Sequence, residues 1–262
     1  MSTEPATTDL LRALAAVLGT FGGRWYVFGA QAVLVWGRPR LTGDVDVTIF
    51  LDPEDNDAFV AAMAPAALRA REAIGWRHLV LDAKAGTVRF AREGVRIDLG
   101  GFAKGHAVDN CVAILQQHGI GQAIVSAGGD SRVLGDRRGR PWTIAIRDPR
   151  HSDGVVAVLP LEDVSISTSG DYERYFEEDG VRFHHLIDPH TGASPNGVRS
   201  VTILAPDGLT SEALSKTVFV LGAKRGFELV ESFPDVDAVV VDATGVLRFS
   251  RGLMHGASAR LQ

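Results

Sequence analysis

Cysteine is nearly absent from this sequence. The single cysteine, Cys111, has no second thiol to pair with, which excludes an intramolecular disulfide. It lies in a stretch of helical periodicity and has no neighbour that would activate a thiol. We therefore expect a small core residue rather than a nucleophile.

Long apolar runs and an excess of positive charge are also missing. No apolar stretch reaches the roughly 20 residues that a membrane-spanning helix needs, and the first residues lack the basic and apolar regions of a secretory signal. The net charge of −5 disfavours binding to nucleic acid or to an anionic membrane. We expect a soluble, cytoplasmic protein with no nucleic-acid partner and no membrane span.

Glycine is plentiful, and the glycine pair at residues 100–101 separates a strand-like pattern from a helical one. An apolar run at residues 95–99 predicts a strand that ends at residues 100–101, and helical spacing then runs from Lys104 to a stop at Gly119. A glycine loop before a helix leaves N–H groups for an anion, and Lys104 can reach a phosphate there. From this loop alone, a tight turn with a solvated lysine explains the pattern equally well.

A resemblance to a known family decides between these readings. Residues 98–109, DLGGFAKGHAVD, resemble the signature of the FAD:protein FMN transferase (ApbE) family. Four more stretches follow in that family's order: SAGGD at 126–130, PWTIAIRDP at 141–149, STSGDY at 167–172 and HHLIDPHTG at 184–192. The resemblance covers about residues 67–253. It implies an α+β fold with mixed, largely antiparallel sheets and packed helices, and a chain that lacks the family's N-terminal third.

The segment before residue 67 resembles something else. Residues 28–30 (FGA), followed by Asp44 and Asp46, are similar to the glycine turn and paired carboxylates of minimal nucleotidyltransferases. Alternate positions on a strand face the same side, so the two aspartates could share Mg²⁺. We predict a short α/β nucleotidyltransferase-like segment at 1–66 and a flavin-transferase-like domain at 67–262.

The longer resemblance implies an enzyme that modifies other proteins. It would cleave FAD and attach FMN through a phosphoester to a Ser or Thr of an acceptor protein, releasing AMP, with Mg²⁺ as the metal. One alternative is a Mg²⁺-dependent nucleotidyltransferase that uses Asp44 and Asp46. Another is an inactive flavin-binding remnant of a fusion.

The same resemblance implies roles for individual residues. Adjacent histidines on a strand point to opposite faces, and His185, three residues before Asp188, matches the family's functional histidine. Its imidazole suits the removal of a proton from a hydroxyl near neutral pH. The residues expected to bind FAD are Asp98, Gly100, Lys104, Gly129, Asp130 and Asp188.

The expected metal site departs from the family's pattern. The family binds Mg²⁺ through a glycine-loop carbonyl, here Gly101, and through an Asp and a Thr four residues apart, which are Glu212 and Lys216 here. Protonated lysine is a poor metal ligand. The pair could be a helical salt bridge, or the Lys216 ammonium could occupy the place of the metal against the pyrophosphate.

Periodicity and turn residues predict the remaining elements. Helices are expected at 104–118, 210–222 and 224–232. Strands, mostly in antiparallel pairs, are expected at 25–28, 45–51, 122–126, 142–147, 155–160, 163–168, 181–187, 199–204, 236–241 and 246–249, with a further hairpin through residues 85–86.

Overall fold

The computed structural model describes residues 24–28, 46–50, 75–93, 95, 97, 99–178 and 180–254. The chain divides into two compact units, Met1–Asp98 and Leu99–Gln262. The functional side chains considered below that can be placed lie in the second unit.

The described residues of the first unit include two antiparallel strand pairs. Both predicted strands of this unit are present, and β1 (Arg24–Phe28) pairs antiparallel with β2 (Asp46–Phe50). A 3-10 helix, Trp76–His78, leads into the hairpin of β3 (Leu79–Asp82) and β4 (Thr87–Phe90). The hairpin turns at Gly86, whose φ of +65° suits a residue without a side chain.

The second unit is built on a six-stranded antiparallel sheet. In chain order, its ten strands are β5 (Ala123–Ala127), β6 (Asp130–Leu134), β7 (Trp142–Arg147), β8 (Val155–Leu161), β9 (Ser165–Gly170), β10 (Tyr175–Glu178), β11 (Val181–His184), β12 (Val198–Ala205), β13 (Asp237–Asp242) and β14 (Leu247–Phe249). The sheet has the order β14-β13-β12-β9-β6-β5, while β7–β8 and β10–β11 form separate two-stranded ribbons. The antiparallel α+β architecture predicted from the sequence is confirmed.

Both faces of the central sheet are buried. Along β12, Val201 and Ile203 pack with the helix α2 (Gly208–Val230), whereas Leu204 joins the cluster formed with β7 and β8. Successive side chains of a strand point to opposite faces, so a strand covered on both sides needs apolar residues without alternation. This explains the unbroken run of valines in β13, where Val240 and Val239 belong to different clusters.

Local signals define the α-helices of the described residues. The helix α1 (Ala103–Gln117) ends as predicted at Gly119, whose φ is +76°. The N–H of Gly119 bonds to Gln116 and that of Ile120 to Leu115, which is the Schellman pattern. At the start of α2, the Asp207 carboxylate accepts the N–H of Thr210 at 2.7 Å, a standard N-cap.

The predicted pair of helices at 210–232 is continuous except at one residue. Gly222, with φ of +75°, departs from helical geometry inside α2, which is where the sequence predicts one helix to stop and the next to begin. Within the described residues, no helix combines the length and the apolar character needed to cross a bilayer.

Two expectations need correction, and two strands were not predicted. In the run 95–99, the described positions 95, 97 and 99 are not in a strand, because an apolar run alone does not supply the hydrogen-bonded neighbour that a strand requires. Strands β6 and β10 are not among the predicted elements. Cys111 is exposed rather than in the core, since Val108 and Val112 form the buried stripe of α1.

Candidate functional site

The first turns of α1 and α2 cross at two glycines. A Cβ added to Gly105 would lie 2.0 Å from the Gly208 carbonyl oxygen, and one added to Gly208 would lie 2.5 Å from the Gly105 carbonyl oxygen. No side chain fits at either position without moving the backbone. The pair of glycines therefore sets how closely the two helices approach.

Each helix also supplies a carboxylate to the first turn of the other. Glu212 of α2 accepts the N–H of Gly105 at 2.7 Å, and Asp109 of α1 accepts the N–H groups of Gly208 and Leu209 at 2.8 and 3.1 Å. The first N–H groups of a helix have no partner within it, and negative charge is favourable there. The exchange satisfies these donors and ties the two helices together.

Two lysines and two buried carboxylates gather beside this crossing. Lys104 forms ion pairs with Asp130 and, at 3.3 Å, with Glu212 Oε1. Lys216 approaches the same Oε1 at 3.1 Å. The side chain of Glu212 is 0% exposed, whereas those of Lys104 and Lys216 are 43% and 28% exposed. The solvent side of this ionic cluster (Lys104, Asp130, Glu212, Lys216) is therefore cationic.

The ionic cluster favours the charged forms of Glu212 and Lys104. Burial alone would raise the pKa of Glu212, but the N–H of Gly105 and the ammonium groups of Lys216 and Lys104 bring that pKa below its usual value. Burial would lower the pKa of Lys104, and the bond to Asp130, with the charge of Glu212, raises that pKa above its usual value.

Three serines beneath the cluster are functional candidates that the sequence analysis missed. Ser167 donates to Asp130, Ser215 lies 3.2 Å from the Ser167 hydroxyl, and Ser169 lies 2.9 Å from the Ser215 hydroxyl. Ser215 also donates to the carbonyl of Glu212. Two signals could have revealed them: Ser167 and Ser169 share one face of β9, and Ser215 lies one helical turn after Glu212.

Two glycine turns flank the lysines. Gly128 and Gly129 both have positive φ, and the Lys104 ammonium lies 3.4 Å from the Gly128 carbonyl oxygen. On the other side, a Cβ on Gly101 would lie 3.7 Å from Cδ of Lys216. Glycine backbone therefore lies beside the Lys104 ammonium and beside the side chain of Lys216.

The two adjacent histidines have different surroundings, as the alternation along a strand predicts. His184 is buried edge-on against Phe219, and its Nε2 lies 2.9 Å from the Pro195 carbonyl oxygen. The side chain of His185 is exposed, and its backbone N–H bonds to the carbonyl of Arg174. Neighbouring protein atoms desolvate part of this exposed ring and lower the pKa of His185; the backbone of Arg174 opposes this shift, and the positive charges of Arg174 and Lys216 add to it. The imidazole of His185 is therefore neutral at neutral pH.

Among the other predicted site residues, Asp188 makes its described contacts outside the ionic cluster. Asp188 accepts the N–H of His190 at 2.8 Å within its own turn, and this bond lowers the pKa of Asp188. Gly100 lies in the turn that leads to α1. Asp98 and Asp44 lie outside the described residues, as does the side chain of Asp46.

Comparison with known proteins identifies the kind of protein that carries this site. The model of one family matches residues 4–240 of the chain, and that family is ApbE. This chain belongs to the ApbE family. The match includes the segment whose sequence resembles a nucleotidyltransferase, and the predicted boundary at residue 66 stays a prediction.

Individual ApbE relatives match over different lengths. The FAD:protein FMN transferase of Treponema pallidum is 38% identical over 199 residues, which are 71% of this chain and 52% of that protein. The FAD:protein FMN transferase of Rhodobacter capsulatus is 45% identical over 136 residues, 52% of this chain and 26% of that protein. The chain therefore spans about half or less of the length of these curated relatives.

A solved ApbE structure shares the fold. The crystal structure of the ApbE protein from Thermotoga maritima aligns with a TM-score of 0.64 at 31% identity, covering 97% of this chain and 78% of that one.

The Mg²⁺ that the ApbE resemblance implies does not fit the ionic cluster. Mg²⁺ requires about six oxygen ligands at roughly 2.0–2.1 Å in near-octahedral geometry. Both carboxylate oxygens of Glu212 already have partners, and two of these are ammonium groups within 3.3 Å. Among the described side chains, no three His, Cys, Asp or Glu residues come together as a metal site. Magnesium stays a prediction that these residues do not favour.

Proposed function

We propose that this chain transfers FMN from FAD to a Ser or Thr hydroxyl of an acceptor protein and releases AMP. One observation carries the proposal. In this member of the ApbE family, two partly exposed lysines lie between two glycine turns, and buried carboxylates form ion pairs with their ammonium groups. This arrangement suits the diphosphate of FAD, which carries negative charge along its length and needs close approach of the backbone.

The chemistry is a phosphoryl transfer. The hydroxyl oxygen of the acceptor attacks the phosphorus on the FMN side of the diphosphate and forms the new P–O bond. His185, which is neutral at neutral pH, takes the hydroxyl proton. The P–O bond to the AMP phosphate breaks and AMP leaves with the bonding electrons. Lys104 and Lys216 stabilise the charge that develops on the phosphate oxygens.

The test is direct transfer to a candidate acceptor. The chain is incubated with FAD and a protein that carries an accessible Ser or Thr, and both AMP release and covalently bound flavin are measured. We expect the two products in equal amounts. FAD binding without either product would support the inactive flavin-binding alternative, and consumption of a nucleoside triphosphate would support the nucleotidyltransferase alternative.

Two separate histidine variants test whether His185 is the base. His185→Gln is expected to lower the transfer rate by about 10²–10⁴-fold, the usual contribution of a general base, with little change in FAD affinity. His151→Gln, at a side chain that is 80% exposed, should retain the full rate. Equal rates for wild type and His185→Gln would exclude this residue as the base.

A further inference from the structure

The carboxylate of Glu212 is the starting point, because all its described contacts are with hydrogen-bond donors. Oε2 accepts the Gly105 N–H, and Oε1 is shared by the Lys104 and Lys216 ammonium groups. A dication at this carboxylate would have to displace these donors and would lie beside two positive charges. Coulomb repulsion in a partly buried place is strong, so such an ion is disfavoured.

The Lys216 ammonium is placed where it can neutralise an anion as a metal ion would. Its side chain follows α2 back by one turn to Glu212, and its methylene Cδ lies next to Gly101 of the first glycine turn. Glu212 is fully buried while the side chain of Lys216 remains partly exposed. The described bonds of the Lys216 ammonium go to Oε1 and the carbonyl oxygen of Glu212, which leaves one of its three N–H groups for an anion. Lys104, on α1, lies beside the second glycine turn, where its ammonium contacts Asp130, Glu212 and the Gly128 carbonyl oxygen.

We propose that the Lys216 ammonium, fixed by Glu212, takes the place of the divalent cation, so that this chain binds a diphosphate without a metal. Glu212 positions both lysines rather than binding a metal. The inference rests on the proposed function, since the diphosphate is that of FAD.

The experiment measures FAD affinity of the full chain in EDTA and in excess Mg²⁺. For the unmodified chain we expect the same Kd in both. Lys216→Met removes the charge at similar length and should weaken binding about tenfold or more in both conditions, since a bond to a charged group contributes roughly 1.5–3 kcal/mol. Lys216→Thr should bind weakly in EDTA and recover with Mg²⁺, because it supplies a hydroxyl ligand and leaves Glu212 a single ammonium partner.

Two controls separate loss of charge from loss of structure. Lys224→Met alters an exposed lysine on the same helix and should leave the Kd unchanged. Lys216→Arg retains the positive charge and should retain most of the affinity in EDTA. Mg²⁺-dependent binding by the unmodified chain, or unchanged binding by Lys216→Met in EDTA, would overturn the inference.

Inorganic pyrophosphate distinguishes this inference from the proposed function. If pyrophosphate binds in EDTA and Lys216→Met weakens that binding while FAD does not bind at all, the metal-free anion site stands and flavin transfer fails. If FAD binds and is consumed only with Mg²⁺, and Lys216→Met behaves as wild type, flavin transfer stands and the role of Lys216 fails.

Discussion

At the scale of the residue, His185 determines how the proposed transfer responds to pH. The pKa of its imidazole is lowered from 6.5, so the neutral form that accepts a proton persists below that pH. We expect kcat/KM to be constant at neutral pH and to fall only at a pH below 6.5, as the imidazole becomes protonated. A pH–rate profile checks this, and the acidic limb should disappear in His185→Gln. A limb above pH 6.5 would contradict the lowered pKa.

Glu212 links the ionic cluster to stability in acid. Its folded-state pKa lies below the ordinary 4.5, so its contribution to the free energy of unfolding is complete above pH 4.5 and is lost as the pH falls through the lowered value. We expect Glu212→Gln to lower that free energy by about 1–3 kcal/mol at neutral pH. The difference from wild type should shrink in acid.

Urea unfolding at neutral pH and below pH 4.5 measures this loss. Glu228→Gln, an exposed position on the same helix, serves as the control and should follow wild type at both pH values. A difference between Glu212→Gln and wild type that does not change with pH would contradict the linkage.

At the scale of the element, the helix crossing depends on Gly105. The clash that a Cβ would make there is with backbone, which cannot rotate away as a side chain can. Overpacking commonly costs about 1–3 kcal/mol and occasionally more, and we expect Gly105→Ala to reach at least the upper part of that range. Gly105→Ala should also weaken FAD binding, because the Glu212 carboxylate would no longer accept the hydrogen bond of the N–H at position 105.

Thermal unfolding and FAD titration of Gly105→Ala test the crossing. The matched control is Gly121→Ala, where a Cβ would meet nothing within 4 Å and φ is not positive. That variant should be neutral or slightly stabilised, because alanine restricts the unfolded chain. If the two variants had similar melting temperatures and FAD affinities, the close approach of the two helices would not be needed for stability or for binding.

At the scale of the whole molecule, the central sheet, both apolar clusters and the ionic cluster all belong to Leu99–Gln262. We expect this unit, expressed alone, to unfold in one cooperative urea transition and to retain pyrophosphate binding. A gradual transition without a baseline would show that residues before 99 are needed for its packing.

Local patterns predicted much of this architecture. The stop of α1 at Gly119 and the interruption of α2 at Gly222 depend on neighbouring residues only, and the sequence locates both.

The ionic cluster could not be predicted from local patterns. Lys104, Asp130 and Glu212 come from three distant elements, so no periodicity connects them, and a family resemblance was needed to single them out. The serines beneath them have functional meaning only once β9 and α2 are known to face each other.

The crossing of α1 and α2 has a consequence for the order of events during folding. Glu212 meets Gly105 across 107 positions of the chain, and Asp109 meets Gly208 across 99. Contacts this distant in sequence form slowly, since a long loop must close before they contribute any stability. The anion-binding site therefore forms only when these late contacts form. During refolding, the signal of a bound diphosphate should lag behind the formation of the helices, and a chain that binds the ligand has already formed these distant contacts.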